Sequence, residues 1–327
     1  MTFIRYSLLV FFFMLLLLGC QPAPSVNAGE HPGNAAHTLT PRPTPTPTPT
    51  PKPLPTASPL APSPTTARSR TPAPTSTIAA VTCREDHGRV LAESLNSANL
   101  PFTLAVNVYL PPCYQPDPAA PYPLLVLLHG QSYDQQQWLD LGLAQIANNL
   151  ISTGEIPPLI ILMPYEENAW QNPYESAFDL LILDTLLPWA QEDLSACDQA
   201  ACRAVGGISR GGSWALRLIG DHPEAFSIAG LHSAPPFTTD QNRLVTIFRK
   251  LTEDERPQLY IDVGDIDTYR GYIVELHDAL SLQGIAHSWQ MSSGGHDDGY
   301  WRAHLPEYLA WYGAQIARAE KLMLNEN

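Results

Sequence analysis

The chain has 327 residues, of which 15% are charged, and its formal net charge is −14. This acidic balance offers no basic stripe to nucleic acid, and we expect no nucleic-acid partner. The low charged fraction is typical of a compact secreted protein rather than of a disordered one.

The first twenty residues carry one arginine and then an apolar run that ends in Leu17-Leu18-Gly19-Cys20. The run is shorter than a typical membrane-spanning helix and ends abruptly, and it lies at the N-terminus, where a secretory signal peptide lies. Small residues before a cysteine resemble the lipobox of bacterial lipoproteins. We expect residues 1–20 to be a signal peptide and Cys20 to carry lipid chains that anchor the protein at the cell surface. An ordinary signal peptide that contains a cysteine is the alternative.

Residues 21–80 hold most of the 33 prolines of the chain, many of them alternating with threonine. Such a segment cannot bury a core and favours extended polyproline II, so we expect a disordered, semi-rigid stalk. The remaining residues, 81–318, have the size of a single α/β domain. Residues 319–327 are expected to form a C-terminal tail.

Four cysteines follow Cys20, and an even number in an exported chain favours disulfides over metal binding. The His and Cys spacings match no zinc pattern, and neither a metal nor an organic cofactor is expected. Of the three possible pairings, we predict the one in which each pair flanks a local hairpin or loop. The two pairs are Cys83 with Cys113 and Cys197 with Cys202.

Two segments with apolar alternation begin the folded part and predict an antiparallel strand pair at a sheet edge. They cover residues 89–95 and 102–112. Apolar strands then alternate with helical patterns, which implies an α/β fold with a mostly parallel sheet covered by helices on both faces. The strands are predicted at 122–130, 157–164, 203–209, 226–233, 257–265 and 286–292, and the helices at 138–150, 175–194, 211–223, 241–251, 271–282 and from about residue 300.

The run Gly207-Ile208-Ser209-Arg210-Gly211 fits G-x-S-x-G, the signature of a nucleophile elbow. Three fixed positions match by chance in roughly one chain in ten of this length, so the motif needs its context. Here a buried strand precedes it and a helix follows. A strand that turns at once into a helix requires small residues, here Gly207 and Gly211, on either side of the serine. We therefore predict that Ser209 is a nucleophile, since a plain glycine turn does not explain this placement.

A serine hydroxyl needs a base, and in α/β-hydrolases the acid and then the histidine follow the serine along the chain. His296 alone among the downstream histidines lies in a loop after the last strand. Asp262 falls inside a strand, whereas Asp265 and Asp267 lie on the loop beyond it, where catalytic groups collect. Asp265 also suits a turn in which it bonds its own backbone, and position alone does not choose between the two.

The oxyanion that forms when a serine attacks a carbonyl needs two fixed N–H donors. One is expected from Arg210, which follows the nucleophile, and the other from the loop after the third strand. His129 and Gly130 are expected to shape that loop, which leaves the Gln131 N–H as the second donor. Trp138 either lines the pocket or is a buried helix residue.

The stretches "LLVLLHGQ", "GGISRGGSWAL", "YIDVGDIDTY" and "GGHDDGYWRAHLPEYLAW" resemble, in this order, the esterase family that includes esterase D and feruloyl esterases. The resemblance covers residues 81–315 and implies an α/β-hydrolase fold without a large lid. In that family the acid stands three residues after a glycine, which points from Gly264 to Asp267. Two positions depart from the family: Arg210 replaces a methionine found in many members, and Cys113 replaces a common glycine.

The resemblance and the motifs together predict a secreted, lipid-anchored serine carboxylesterase that forms an acyl-enzyme on Ser209. Members of the family act on feruloyl and acetyl esters of plant polysaccharide and on siderophore esters, and some transfer acyl groups to sugars. Acyl transfer to a sugar is one alternative. A surface lipoprotein that kept the fold for binding and lost the activity is another.

Overall fold

A computed structural model describes residues 83–325 of the chain. The predicted signal peptide at 1–20, the lipidation site Cys20 and the stalk at 21–80 lie outside the described residues, and they stay predictions. Among the helices of residues 83–325, none has the length and apolar character needed to cross a membrane.

The described residues form one eight-stranded sheet in the order β1-β2-β4-β3-β5-β6-β7-β8. Strand β2 pairs antiparallel with β1 and β4, and all other neighbours are parallel. The predicted α/β class and the antiparallel pair at one edge are confirmed. The strands are β1 (Arg89–Asn96), β2 (Thr103–Leu110), β3 (Leu124–Leu128), β4 (Ile160–Pro164), β5 (Arg203–Ile208), β6 (Ile228–His232), β7 (Gln258–Gly264) and β8 (Ser288–Ser292).

Helices connect the parallel strands and cover both faces of the sheet, as the alternating pattern predicted. Between α3 and α4 the chain continues through a π-helical turn at Ile182–Leu186, and a 3₁₀ turn at Ala200–Cys202 precedes β5. The helices are α1 (Gln137–Asp140), α2 (Leu143–Ser152), α3 (Phe178–Leu181), α4 (Leu187–Leu194), α5 (Arg210–Asp221), α6 (Asp240–Phe248), α7 (Arg270–Leu282) and α8 (Asp298–Asn325).

Two helix predictions differ from the structure. The helix expected at 138–150 is divided into α1 and α2 because Gly142 between them has a φ of 100°, which belongs to no right-handed helix. The tail expected at 319–327 continues α8 as far as Asn325. No glycine or proline stands between Tyr312 and that end except Gly313, and the residues that follow favour helix.

The apolar strands are buried on both faces because the sheet separates two cores. In β3, Leu124, Val126 and Leu128 face the core that contains Trp214 of α5. The alternate residues Leu125 and Leu127 face the second core, which contains much of α8. This period of two explains why β3 reads as one continuous apolar run.

Helix α8 is held to the sheet by a buried carboxylate, Asp262 of β7. The His232 ring donates Nδ1–H to Asp262 Oδ1 at 2.7 Å, and the hydroxyls of Tyr300 and Tyr308 donate to Oδ2 at 2.9 and 2.7 Å. The Tyr312 hydroxyl contacts His232 Nε2 at 2.9 Å. Burial and the charge of Asp262 raise the pKa of Tyr308, so its hydroxyl keeps its proton and donates. The three tyrosines therefore fix α8 over strands β6 and β7.

The four cysteines of the described residues form the two predicted pairs, Cys83–Cys113 and Cys197–Cys202. Cys113 has a φ of 61°, in the left-handed region where glycine is favoured. The Cys83–Cys113 disulfide links this turn to the segment before β1.

Candidate active site

The predicted site residues lie at one edge of the sheet, where the parallel strands β3, β5, β7 and β8 end. Gln131 follows β3, Ser209 follows β5, Asp267 follows β7 and His296 follows β8. The carboxyl ends of parallel strands share one edge, so residues that are 165 positions apart in the sequence come together here.

Ser209 occupies a sharp turn between β5 and α5. Its φ of 54° and ψ of −121° are unusual for a residue with a side chain, and such a conformation costs about 1–3 kcal/mol. The Ser209 N–H donates to the carbonyl of His232 on the neighbouring strand at 2.8 Å, which helps to hold the turn. The side chain is thereby directed away from the strand, at the first turn of α5.

Glycines allow the elbow to pack against β3 and against itself. A Cβ on Gly207 would overlap the backbone of Gly211, and a Cβ on Gly211 would overlap the carbonyl group of Leu128. Gly212 is equally restricted, since its Cβ would meet that of Ala234. The two glycines of the motif are therefore required by backbone contacts on both sides of Ser209.

Ser209, His296 and Asp267 form one continuous line of hydrogen bonds. His296 Nε2 lies 2.9 Å from Ser209 Oγ, and His296 Nδ1 lies 2.9 Å from Asp267 Oδ2. Because a carboxylate can only accept, Nδ1 carries the proton and Nε2 presents its lone pair to the serine hydroxyl. The rings of Tyr269 and Trp301 pack edge-on against His296, with centroids 4.9 and 5.1 Å away, and restrict its rotation.

Asp267 is buried, and its charge is stabilised by donors on both oxygens. Burial opposes its ionisation, but hydrogen bonds from His296 and from the Tyr269 N–H outweigh burial and lower the pKa of the carboxyl. The Tyr269 N–H lies 2.7 Å from Oδ1, opposite the oxygen that faces His296. The carboxylate is thus kept ionised in an orientation that suits the imidazole.

The two other candidate aspartates lie elsewhere. Asp262 belongs to the buried network under α8. The sequence suggested that Asp265 bonds its own backbone in a turn. Instead, Asp265 Oδ1 accepts the Gly294 N–H at 3.0 Å and binds the loop that carries His296. Its role is to hold two loops together, and Asp267 alone of the three contacts the histidine.

The two candidate oxyanion donors lie beside Ser209 in a cleft of about 320 Å³. Within residues 83–325, neither the Gln131 N–H nor the Arg210 N–H donates to another protein group. Arg210 is the first residue of α5, where backbone N–H groups have no partner inside the helix. Both N–H groups are therefore available to an oxyanion at the serine.

The cleft has a mixed lining. Pro235, Pro236 and Phe237 line it together with Tyr174 and Tyr269, and most of the other lining side chains are polar. Among residues 83–325, Arg210 is the only charged side chain that lines the cleft, and its guanidinium is paired with Glu166. In the described part of the chain, no group of three or more His, Cys, Asp and Glu side chains could hold a metal ion.

The sequence did not single out Glu166, which is buried and binds Arg210. Its position two residues beyond β4, at the edge where the other site residues lie, was the available signal. The second interpretation of Trp138 is the correct one. Its side chain is fully buried and donates Nε1–H to the Leu128 carbonyl at 3.2 Å, below the loop that begins with His129.

The model of the esterase family, described as "Putative esterase", matches residues 97–312. The chain belongs to this family. It is 26% identical over 236 residues to an uncharacterized protein of Corynebacterium glutamicum, an alignment that covers 62% of this chain and 55% of that protein. It is 27% identical over 241 residues to an endo-1,4-beta-xylanase/feruloyl esterase of Xylanibacter ruminicola, covering 69% and 30%. The chain thus spans about half, or less, of the length of these relatives.

Solved structures of esterases share the fold. A ferulic acid esterase superposes with a TM-score of 0.60 at 21% identity, covering 70% of this chain and 99% of that one. An S-formylglutathione hydrolase of Staphylococcus aureus gives a TM-score of 0.58 at 19% identity, covering 70% and 98%. The esterase-family chain therefore has an α/β-hydrolase fold, and the family supports a hydrolase that acts on esters.

The elbow contacts predict the effect of Gly211→Ala. The added Cβ overlaps the Leu128 carbonyl, so the elbow and β3 must separate, and we expect a loss of about 1–3 kcal/mol in unfolding free energy. Gly271→Ala in α7 is the control, because its Cβ meets nothing within 4 Å. It should stabilise the protein by up to about 1 kcal/mol. Denaturant unfolding measures both, and equal stabilities of the two variants would contradict the packing described for the elbow.

Proposed function

We propose that the protein is a serine carboxylesterase that works through an acyl-enzyme on Ser209. The observation that carries the proposal is the unbroken line from Asp267 through His296 to the serine hydroxyl, with both bonds at 2.9 Å. It lies at an elbow beside the backbone N–H groups of Gln131 and Arg210, which have no hydrogen-bond acceptor within residues 83–325. The esterase family supports the same reaction class.

In the first half-reaction, His296 Nε2 accepts the proton of Ser209 Oγ while the oxygen attacks the ester carbonyl carbon. The carbonyl electrons move to the oxygen, and the N–H groups of Gln131 and Arg210 donate to this oxyanion. The tetrahedral intermediate then collapses, the C–O bond to the alcohol breaks, and His296 gives its proton to the departing alkoxide. Asp267 stabilises the imidazolium that exists in between.

In the second half-reaction, water takes the place of the alcohol. His296 Nε2 accepts a proton from the water, whose oxygen attacks the acyl carbonyl, and the same two N–H groups hold the second oxyanion. The ester bond to Ser209 breaks, and the proton on His296 returns to Oγ. The carboxylic acid leaves, and the resting state is restored.

The cleft walls favour esters of aromatic acids over triglycerides. Phe237, Tyr174 and the two prolines offer flat apolar surfaces to a planar acyl group, and the charged lining residue of the described chain, Arg210, is paired with Glu166. Relatives named as feruloyl esterases support the same class. We expect kcat/KM for methyl ferulate to exceed that for methyl butyrate by about tenfold, the effect of roughly 1.4 kcal/mol of stacking. A preference for emulsified tributyrin would contradict this substrate class.

Replacing the serine tests the mechanism. Ser209→Ala removes the nucleophile, and we expect kcat for p-nitrophenyl acetate to fall by a factor of about 10⁴ or more. The activity that remains comes from substrate binding and the oxyanion donors. The fold should persist, because alanine is smaller than serine at this position. Ser213→Ala is the control, since Ser213 bonds backbone carbonyls of Ser209 and Pro235 and has no part in proton transfer. A tenth of the wild-type kcat in Ser209→Ala would contradict the proposal.

Asp267 and Asp265 provide a matched pair of substitutions. Asp267→Asn leaves an amide facing His296, which favours the wrong tautomer, and kcat should fall by about 10³ or more. Asp265→Asn keeps an Oδ1 that accepts the Gly294 N–H, so kcat should fall less than about tenfold, with a small loss of stability. Steady-state kinetics and thermal unfolding measure both. A larger loss of kcat in Asp265→Asn would assign the acid to Asp265.

A further inference from the structure

A buried ion pair stands behind the elbow. Arg210 Nε lies 2.8 Å from Glu166 Oε2, and Nη2 lies 2.6 Å from Oε1, so the guanidinium holds the carboxylate through two parallel bonds. The two side chains are 9% and 4% exposed. Arg210 Nη2 also donates to the Gln171 carbonyl at 3.1 Å. The elbow is thus tied to the loop that follows β4.

The proposed proton relay uses neither of these charges. Burying two charges is costly, and a buried pair is often no more stable than apolar side chains of similar volume. The pair is therefore poorly explained by stability alone. Its geometry, with one end on a residue that carries a candidate oxyanion donor, suggests a role in holding that donor.

The loop after β4 is tied in turn to the loop after β3. The backbone N–H of Glu166 donates to His129 Nε2 at 2.9 Å, and His129 Nδ1 lies 2.8 Å from the carbonyl oxygen of Gly130. Nε2 accepts, so Nδ1 carries the proton and donates to that carbonyl. Burial lowers the pKa of His129, which keeps the ring in the neutral form that this arrangement requires.

The Gly130 carbonyl and the Gln131 N–H belong to the same peptide group. A hydrogen bond to the carbonyl fixes the plane of that peptide and hence the direction of its N–H. It also polarises the N–H and strengthens its donation. The Gly130 N–H is held as well, by Gln137 Oε1 at 2.8 Å. His129 therefore aims the second candidate oxyanion donor.

We propose that the side chains of Arg210, Glu166 and His129 form a brace that sets the separation of the two oxyanion donors. The brace begins on the residue that supplies one N–H and ends on the peptide that supplies the other. These three are positioning residues and act on the reaction through the backbone. The inference rests on the proposed function, in which the Gln131 and Arg210 N–H groups bind the oxyanion.

A brace and a merely structural ion pair predict different results when Tm and kcat are measured on the same variants. Arg210→Met and Glu166→Leu each leave one buried charge without its partner, so both single variants should show a lower Tm and a lower kcat. The double variant removes both charges and fills the space with apolar atoms. Its Tm should return to within a few degrees of wild type. Its kcat should not recover, because the connection between the elbow and the loop after β4 is still missing.

The experiment compares the double variant with wild type using p-nitrophenyl acetate and a trifluoromethyl ketone, which forms a tetrahedral oxyanion on a serine. We expect kcat to fall by about tenfold or more. The loss should stay below the loss of about 10²–10³ in kcat that follows removal of an oxyanion donor. Affinity for the ketone should fall by a similar factor, whereas the pH dependence of kcat/KM should keep its shape because the proton relay is intact. Arg243→Met is the control, since it removes an ion pair with Asp221 at the other end of α5.

Recovery of kcat together with Tm in the double variant would overturn the brace and leave a structural ion pair. If the double variant fails to fold, Arg210→Lys decides. Lysine keeps the charge but loses the two-pronged contact and the bond to Gln171, so kcat should fall by about threefold or more at a near-normal Tm. Wild-type kcat in Arg210→Lys would overturn the proposal. Failure of the proposed function itself would be separate and visible as a wild-type protein that hydrolyses no ester.

Discussion

The backbone of Ser209 is held at a positive φ by the strand before the turn and the helix after it. Its φ of 54° persists because β5 is hydrogen-bonded between β3 and β6, and because α5 begins at the next residue. Gly207 and Gly211 permit the two halves of the turn to touch, and Gly211 also lies against the end of β3. The packing of β5 between its two neighbouring strands and against α5 therefore offsets the backbone strain of about 1–3 kcal/mol at Ser209. It places the hydroxyl at a helix N-terminus, where partial positive charge favours a developing anion.

The position of His296 is set by helix α8 and by the loop after β7. Helix α8 begins two residues after His296 and is fixed by its tyrosines to the buried Asp262. The loop before α8 is joined to the loop after β7, since Ile266 N–H donates to the Gly294 carbonyl at 3.1 Å and Asp265 accepts from Gly294. Gly264 has no room for a side chain against that carbonyl. One set of contacts thus brings the acid and the base to the serine together.

Much of this arrangement could be predicted from the sequence, and the part that could not has a physical reason. Apolar runs and helical spacing predicted the succession of strands and helices along the chain, and the G-x-S-x-G motif between a strand and a helix predicted Ser209 as the nucleophile. Asp267 was chosen over Asp265 by family spacing, because both stand on the same loop and only the bonds between loops separate them. The break at Gly142 depends on a single φ. The contacts of Glu166 with Arg210 and His129 join loops that are distant in the sequence. A local sequence pattern does not predict such contacts.

Acylation of Ser209 during ester hydrolysis is tested most directly by identifying the residue that a covalent inhibitor modifies. The wild-type protein is incubated with a fluorophosphonate and digested, and the modified peptide is mapped by mass spectrometry. We expect one adduct, on Ser209 in the peptide that contains Gly207 and Gly211, and much slower labelling when Asp267 is replaced by asparagine. An adduct on another serine, or no adduct in a protein that hydrolyses esters, would contradict it.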